Sequence, residues 1–307
     1  MEKANGIFSS KTGVAVLSVL SNSFLIAIKL VAGIVTGSIG IIAEAIHSAI
    51  DLVASVIALV SVRVSGRPAD SEHPFGHGKA ESISGLVEAS LIFVAAALII
   101  REAILRIAES STLKMTEVGI AVMLVSVLVN VVVSRRLLKV ARATDSLALE
   151  ADAAHLTTDV YTSLGVLVGL VVVRFTGLVV LDAVVAIGVA GLVVKAAYDI
   201  TKKSVAGLMD VKLPIEDEAL IRQCIEEHGC EVVGFHHLRT RKVGSQRHID
   251  LHLVMAEDAS LQYAHDMCDH LEEDIRSRLR NASITIHVEP CTGARCEECA
   301  VICSLRH

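Results

Sequence analysis

The chain has no tryptophan, and aromatic residues make up only 3% of its 307 positions. The aromatic belts that commonly ring membrane spans at both interfaces are therefore thin. Proline is scarce, and two of the four prolines, Pro68 and Pro74, fall in one short polar stretch. No cysteine precedes Cys224; Cys224, Cys230, Cys268, Cys291, Cys296, Cys299 and Cys303 all lie in the last third. In a reducing compartment such a set serves as free thiols or metal ligands rather than disulfides. Positive charge is not in excess either. The 28 Lys and Arg stand against 34 Asp and Glu, a net charge of −6, which gives no sign of nucleic-acid binding.

What is abundant is apolar. Hydrophobic residues make up 53% of the chain and charged ones 20%, with a mean hydropathy of +0.61. The charges are unevenly spread. Residues 1–200 are apolar runs with short charged gaps, and residues 205–307 read as an ordinary soluble domain. We expect a six-helix transmembrane domain over 1–204, a cytosolic α+β domain over 205–290 and a cysteine-rich tail over 291–307. A span needs about 20 mostly apolar residues. Six stretches qualify: Gly13–Val35, Ser38–Val62, Ile83–Ile107, Met115–Val133, Leu147–Val173 and Val179–Tyr198. The first is too long for a signal-peptide core and reads as a retained span. Lys3 and Lys11 precede it; Arg63, Arg67 and Lys79 fill the second gap, and Arg135, Arg136, Lys139 and Arg142 the fourth. Lys202 and Lys203 follow the last span. The first gap carries no charge and the fifth only Arg174, while the third is ambiguous, with Arg101, Arg106 and Lys114. The positive-inside rule then puts both termini in the cytoplasm.

Two stretches repeat one pattern. Glu44-Ala45-Ile46-His47-Ser48-Ala49-Ile50-Asp51 lies in the second span and Asp152-Ala153-Ala154-His155-Leu156-Thr157-Thr158-Asp159 in the fifth. Each reads acid-x-x-His-x-x-x-Asp, which on a helix puts all three on one face. A carboxylate at mid-bilayer costs about 2.5–3.5 kcal/mol even on the lenient insertion scale. A cation held between the two helices would offset that cost. Two His and two Asp also make a tetrahedral N/O set for a divalent transition metal. His47 lies about nine residues into its span, roughly 13 Å deep at 1.5 Å per residue. One such motif alone could be a histidine hydrogen-bonded to a neighbour; a matching pair points to a metal or proton site. Three spans per half would make the halves inverted repeats, an arrangement found in transporters. Glu44 and Asp152 fall to either side of the cluster and are expected behind the ligands or at the vestibule. Asn22 and Lys29 read as a helix contact and a snorkelling side chain.

The second gap holds Pro68-Ala69-Asp70-Ser71-Glu72-His73-Pro74-Phe75-Gly76-His77-Gly78-Lys79, a loop by its Pro and Gly content. Asp70, His73 and His77 could close on one Zn²⁺, with water or Glu72 completing the shell. Alternatively, the loop is a polar turn that docks on the soluble domain. That domain reads as a helix (Ile215–His228), strands (Glu231–Lys242 and Arg247–Met255), a helix (Ser260–Arg280) and a strand (Ala282–Glu289). Ile249, Leu251 and Leu253 alternate with His248, Asp250 and His252, and Ile284, Ile286 and Val288 with Thr285, His287 and Glu289. One sheet face thus collects His and carboxylate while helices cover the other. Cys291, Cys296, Cys299 and Cys303 form C-x₄-C-x₂-C-x₃-C, either a soft-metal site or a reduced tail.

Together, the paired His-x-x-x-Asp motifs, the loop His73-Pro74-Phe75-Gly76-His77-Gly78-Lys79-Ala80-Glu81 and Gly207-Leu208-Met209-Asp210 resemble the cation diffusion facilitator family from about residue 12 to 290. The resemblance implies six-helix protomers that form homodimers and export divalent metal from the cytoplasm, usually against protons. It implies His47, Asp51, His155 and Asp159 as membrane ligands, with the two-His form leaning to zinc. It implies a second site at Asp70, His73 and His77, and a hinge pair at Lys79 and Asp210. For a ferredoxin-like tail it implies His236, His252, His265, His287 and Glu289. The chain departs from the family where His237 follows His236 and where Glu289 replaces a common Asp.

The expectation is a homodimeric Zn²⁺/H⁺ antiporter of the plasma (inner) membrane, with Zn²⁺ as cargo and as a regulatory or structural ion. The order among Zn²⁺, Cd²⁺, Co²⁺, Fe²⁺ and Mn²⁺ stays open. One rival is a membrane-bound metal sensor or assembly scaffold that moves no ions. An enzyme would need an open metal position and a nearby base, for which Glu44 and Asp152 are the sole candidates.

Overall fold

The computed structural model describes residues 10–37, 39–109, 117–176, 180–229 and 231–291. The chain divides into two compact units, Met1–Val205 and Ala206–His307. The first is built of six long helices: α1 (Lys11–Thr36), α2 (Ile39–Ser65), α3 (Lys79–Glu109), α4 (Glu117–Thr144), α5 (Leu147–Thr176) and α6 (Val180–Leu208), the last running into the second unit. Ser10 caps α1, its Oγ accepting from Gly13 N, and Gly37 ends it with φ 64°, a left-handed conformation that glycine adopts without strain.

Five of the helices are long and apolar enough to cross a membrane. The other, α5, is 30 residues long but bears Glu150, Asp152 and Asp159. Large apolar side chains, among them Phe24, Val31, Leu98, Leu128 and Val171, stand exposed on the outside of the unit. So much exposed apolar surface suits lipid rather than water. Inside, Val14, Val62, Leu137, Leu149 and Leu156 pack α1, α2, α4 and α5 together, and Ile92, Ala96, Val193 and Ala197 join α3 to α6. A Cβ on Gly85 of α3 would come 2.6 Å from Ser204 Oγ on α6, so a larger residue there would make that hydroxyl turn away. Most of the helices outrun the apolar spans read from the sequence. α4 continues to Thr144, through Arg135, Arg136, Lys139 and Arg142, and α6 to Leu208. Hydropathy marks where lipid would end, and backbone hydrogen bonding carries a helix further.

The second unit runs α7 (Ile215–Glu227), β1 (Gly234–Val243), β2 (Gln246–Met255), α8 (Leu261–Arg278) and β3 (Ala282–Pro290). The sheet order is β1-β2-β3, with β1–β2 antiparallel and β2–β3 parallel. A parallel pair needs a crossover, and α8 supplies it. Ile249, Leu251 and Leu253 pack on Ile221, Ile225, Met267 and Leu271 of the two helices. The opposite faces of the strands are left to His236, His252 and His287.

Candidate metal centres

The first centre is carried by α2 and α5. In each helix an i, i+4 pair, His47/Asp51 or His155/Asp159, presents one imidazole and one carboxylate. Asp51 and His155 are buried, and His155 Nε2 lies 3.1 Å from Asp51 Oδ1. His47 Nε2 lies 4.0 Å from the same oxygen and its side chain is 48% exposed. Ligand atoms of His47, Asp51 and Asp159 all fall within 4.8 Å of one another. His155 is not in that group and joins it only through Asp51; ligands on a tetrahedral Zn²⁺ stand about 3.4 Å apart, given bonds of about 2.0–2.1 Å, so all four would have to draw closer to share one ion. Buried His155 Nδ1 and Asp159 Oδ2 have no hydrogen-bond partner, and such orphaned atoms are costly.

One neighbour of this centre, Lys29, differs from expectation. Lys29 does not snorkel: it is buried, and its Nζ donates to Ser48 Oγ at 2.8 Å. Asn22 Nδ2 donates to Ser55 Oγ at 2.7 Å, a contact between α1 and α2. Asp152 is fully buried, and the Glu44 side chain lies outside the described residues.

The second centre is the α2–α3 loop. Asp70 Oδ1 accepts from the backbone N–H of His73 at 2.7 Å and of Glu72 at 3.0 Å. The bond from His73 is the main reason its carboxyl is held below the usual carboxylate range. His73 Nδ1 lies 3.2 Å from Oδ1, His77 Nε2 lies 3.3 Å from Oδ2, and the two rings are 4.4 Å apart. All three ligand atoms group within 4.8 Å. Glu72 offers its backbone to Asp70.

The third centre is a row across the sheet. His236 pairs with His252 on the neighbouring strand, and His252 with His287 on the next. Glu289, two residues beyond His287, shares that face. His252 Nδ1 lies 2.9 Å from Glu289 Oε1 and His236 Nε2 lies 3.2 Å from Oε2, with His287 Nε2 3.7 Å from Oε1. The bond from His252 holds the Glu289 carboxyl below its ordinary value. The sequence-based ligand set does not include His237. The register shifts between His236 and Arg239, and His237 sits at φ 52°, so alternation fails and its ring comes to 5.0 Å from His252. His236, His237 and His252 form one ligand group, and His252, His287 and Glu289 another. The consecutive histidines were the available signal. His265 stands apart on α8, 3.7 Å from Asp269; it shares a groove with Glu289 but joins neither group among the described residues. Cys291 N donates to Met255 O at 2.8 Å, whereas Cys296, Cys299 and Cys303 lie outside the described residues.

Residues 15–209 match the family model for the cation efflux transmembrane domain, and residues 213–291 that for the cation efflux protein cytoplasmic domain. The chain belongs to the cation diffusion facilitator family. Among relatives of this facilitator is the "Uncharacterized transporter sll1263" of Synechocystis, 35% identical over 90% of this chain and 89% of its own. Others are the "Cation-efflux pump FieF" of Pectobacterium carotovorum, 34% identical over 83% and 84%, and that of Yersinia pestis, 33% identical over 88% and 89%. The facilitator is thus a multi-pass integral membrane transporter of cations and not an enzyme.

Proposed function

We propose that this facilitator exports Zn²⁺ from the cytoplasm in exchange for protons, as a homodimer in the plasma (inner) membrane. The observation that carries the reading is the group His47, Asp51 and Asp159 on α2 and α5, with His155 Nε2 3.1 Å from Asp51 Oδ1 beside it, two imidazoles and two carboxylates in all. Mixed N/O sets of four suit Zn²⁺. Binding needs neutral imidazoles and ionised carboxylates, so metal and protons compete for the same lone pairs. A proton arriving from the far side therefore displaces the metal, and the same chemistry couples the two fluxes. Cytoplasmic termini are supported by Arg63, Arg67, Lys79, Arg135, Arg136, Lys139 and Arg142 at one set of gaps. Dimerisation is supported by the cytoplasmic-domain family, designated ZT_dimer. The loop and sheet centres would hold further Zn²⁺, the latter as a regulatory ion.

The test is Zn²⁺ uptake into liposomes holding the purified protein under an imposed pH gradient, with internal zinc and pH read together. Zinc flux with opposing proton movement is the expected result. Zinc binding at the sheet centre without flux would instead support a metal sensor.

A further inference from the structure

α3 is apolar through its middle, yet Glu81 and Glu88 sit seven residues apart on one face. Both are buried, but their partners differ. Glu81 is satisfied: Lys11 Nζ and Ser65 Oγ each donate to Oε1 at 3.0 Å, and Ser146 Oγ donates to Oε2 at 2.7 Å. Glu88 accepts a long bond, 3.4 Å from Ser84 Oγ, and its Oε2 has no hydrogen-bond partner. Asp152 on α5 is likewise 0% exposed. Ser55 Oγ donates to its Oδ1 at 3.1 Å, and its Oδ2 has no hydrogen-bond partner. The two carboxyls belong to helices that pack on each other. Ala89 and Ala151, adjacent to them in sequence, pack in one cluster and let the helices approach closely. Two buried carboxyls with an orphaned oxygen each are expensive in an apolar bundle, and a shared cation would offset that cost.

Their position in the file of acids is informative. Ser55 lies one turn beyond Asp51 towards the C-terminus of α2. Asp152 lies about one turn before His155 towards the N-terminus of α5. Both steps lead to the bundle end where Glu81 gathers Lys11, Ser65 and Ser146. Moving inward from that end, the acids are Glu81, then Glu88 with Asp152, then buried Asp51 with half-buried Asp159. Imidazole joins the oxygen donors at the last step.

We propose that Glu88 and Asp152 form a second intramembrane cation site, of oxygen donors alone, that holds the divalent cargo one helical turn before the His/Asp quartet. It rests on the transport reading above. Two carboxylates balance two positive charges, and oxygen ligands hold divalent ions with little discrimination. The station loads the ion, and the imidazoles about 5.4 Å further on select it.

The test uses the full chain in liposomes with Zn²⁺ as the sole metal, comparing wild type with Glu88→Gln, Asp152→Asn, Ser55→Ala and Glu88→Asp. In the first two, the half-saturating Zn²⁺ rises on the order of tenfold while turnover at saturation stays within about twofold. Ser55→Ala shifts it the same way but less, and Glu88→Asp restores most of the loss. Equilibrium Zn²⁺ binding in detergent, of the part that Asp51→Asn removes, is retained in Glu88→Gln, which shows the variant folded. Unchanged half-saturation in Glu88→Gln and Asp152→Asn overturns the proposal. So does unchanged half-saturation with an altered pH profile of flux, which makes the pair a proton carrier. If the charge-removing variants do not fold, an unchanged Ser55→Ala overturns it. A wild type that moves no zinc refutes the transport reading, and the station with it.

Discussion

Asp51 is the residue on which the membrane centre turns, because one of its oxygens faces both histidines. Its Oδ1 lies 3.1 Å from His155 Nε2 and 4.0 Å from His47 Nε2. Asp51→Asn keeps that oxygen, the side-chain shape and an acceptor for His155, so the helices should pack as before. It removes one of two carboxylate charges facing the cation. Taking one member from a buried set of paired charges costs about 3–5 kcal/mol. At about 1.4 kcal/mol per factor of ten, zinc binding at the quartet should weaken by roughly two to three and a half orders of magnitude. The assay pairs equilibrium Zn²⁺ binding in detergent with flux in liposomes, each against wild type and Asp159→Asn. Loss of flux in both variants, with the folded dimensions retained in detergent, is the expected outcome. If Asp51→Asn binds and transports within about threefold of wild type, far short of the loss worked from the buried charge set, the quartet is not the transport site.

Other consequences can be measured with less machinery. Glu81→Gln replaces a buried carboxylate that accepts from Lys11, Ser65 and Ser146; charge-assisted bonds of this kind contribute about 1.5–3 kcal/mol each, so the thermal midpoint in detergent should fall by several degrees, and an unchanged midpoint would show the cluster to be idle. His237→Asn keeps a residue type that tolerates positive φ and removes one imidazole, so zinc affinity of the soluble domain should drop about tenfold with little change in its unfolding midpoint. The Glu289 carboxyl is held low by His252. Its contribution to stability is therefore complete above the ordinary glutamate value of about 4.3 and is lost as pH falls through the depressed one; acid titration of the metal-free protein should show this loss in wild type and not in Glu289→Gln.

The legible parts of the molecule were those written by periodicity. Apolar runs of about span length located the six long helices, five of them apolar enough to cross a membrane, and strict alternation assigned Ile249, Leu251 and Leu253 to the core face of β2. The i, i+4 spacing of His47/Asp51 and His155/Asp159 puts each pair on one helix face whatever the neighbours do; that His155 Nε2 then lies 3.1 Å from Asp51 Oδ1 depends on how α2 and α5 pack. What escaped was whatever breaks a period or lies hidden within one. His237 turns onto the ligand face through a bulge, which no alternation rule foresees. The charged ends of α4 and α6 remain helical because backbone bonding is indifferent to hydropathy. Glu88 was readable as an acid inside an apolar span, but its orphaned oxygen depends on packing against α5. Lys29 was read as a side chain reaching for water, and the polar seam between α1 and α2 gave it Ser48 instead.

The cross-strand row of His236, His252 and His287 also has a mechanical meaning. Side chains alternate along each strand, so sliding β3 by one residue past β2 would swing His287 to the core face and bring an apolar neighbour out. An ion gripped by imidazoles on more than one strand would therefore act as a rivet against shear. It would add little to the shape of the domain but would lock the alignment of β2 with β3, the parallel pair whose strands are joined through a crossover helix.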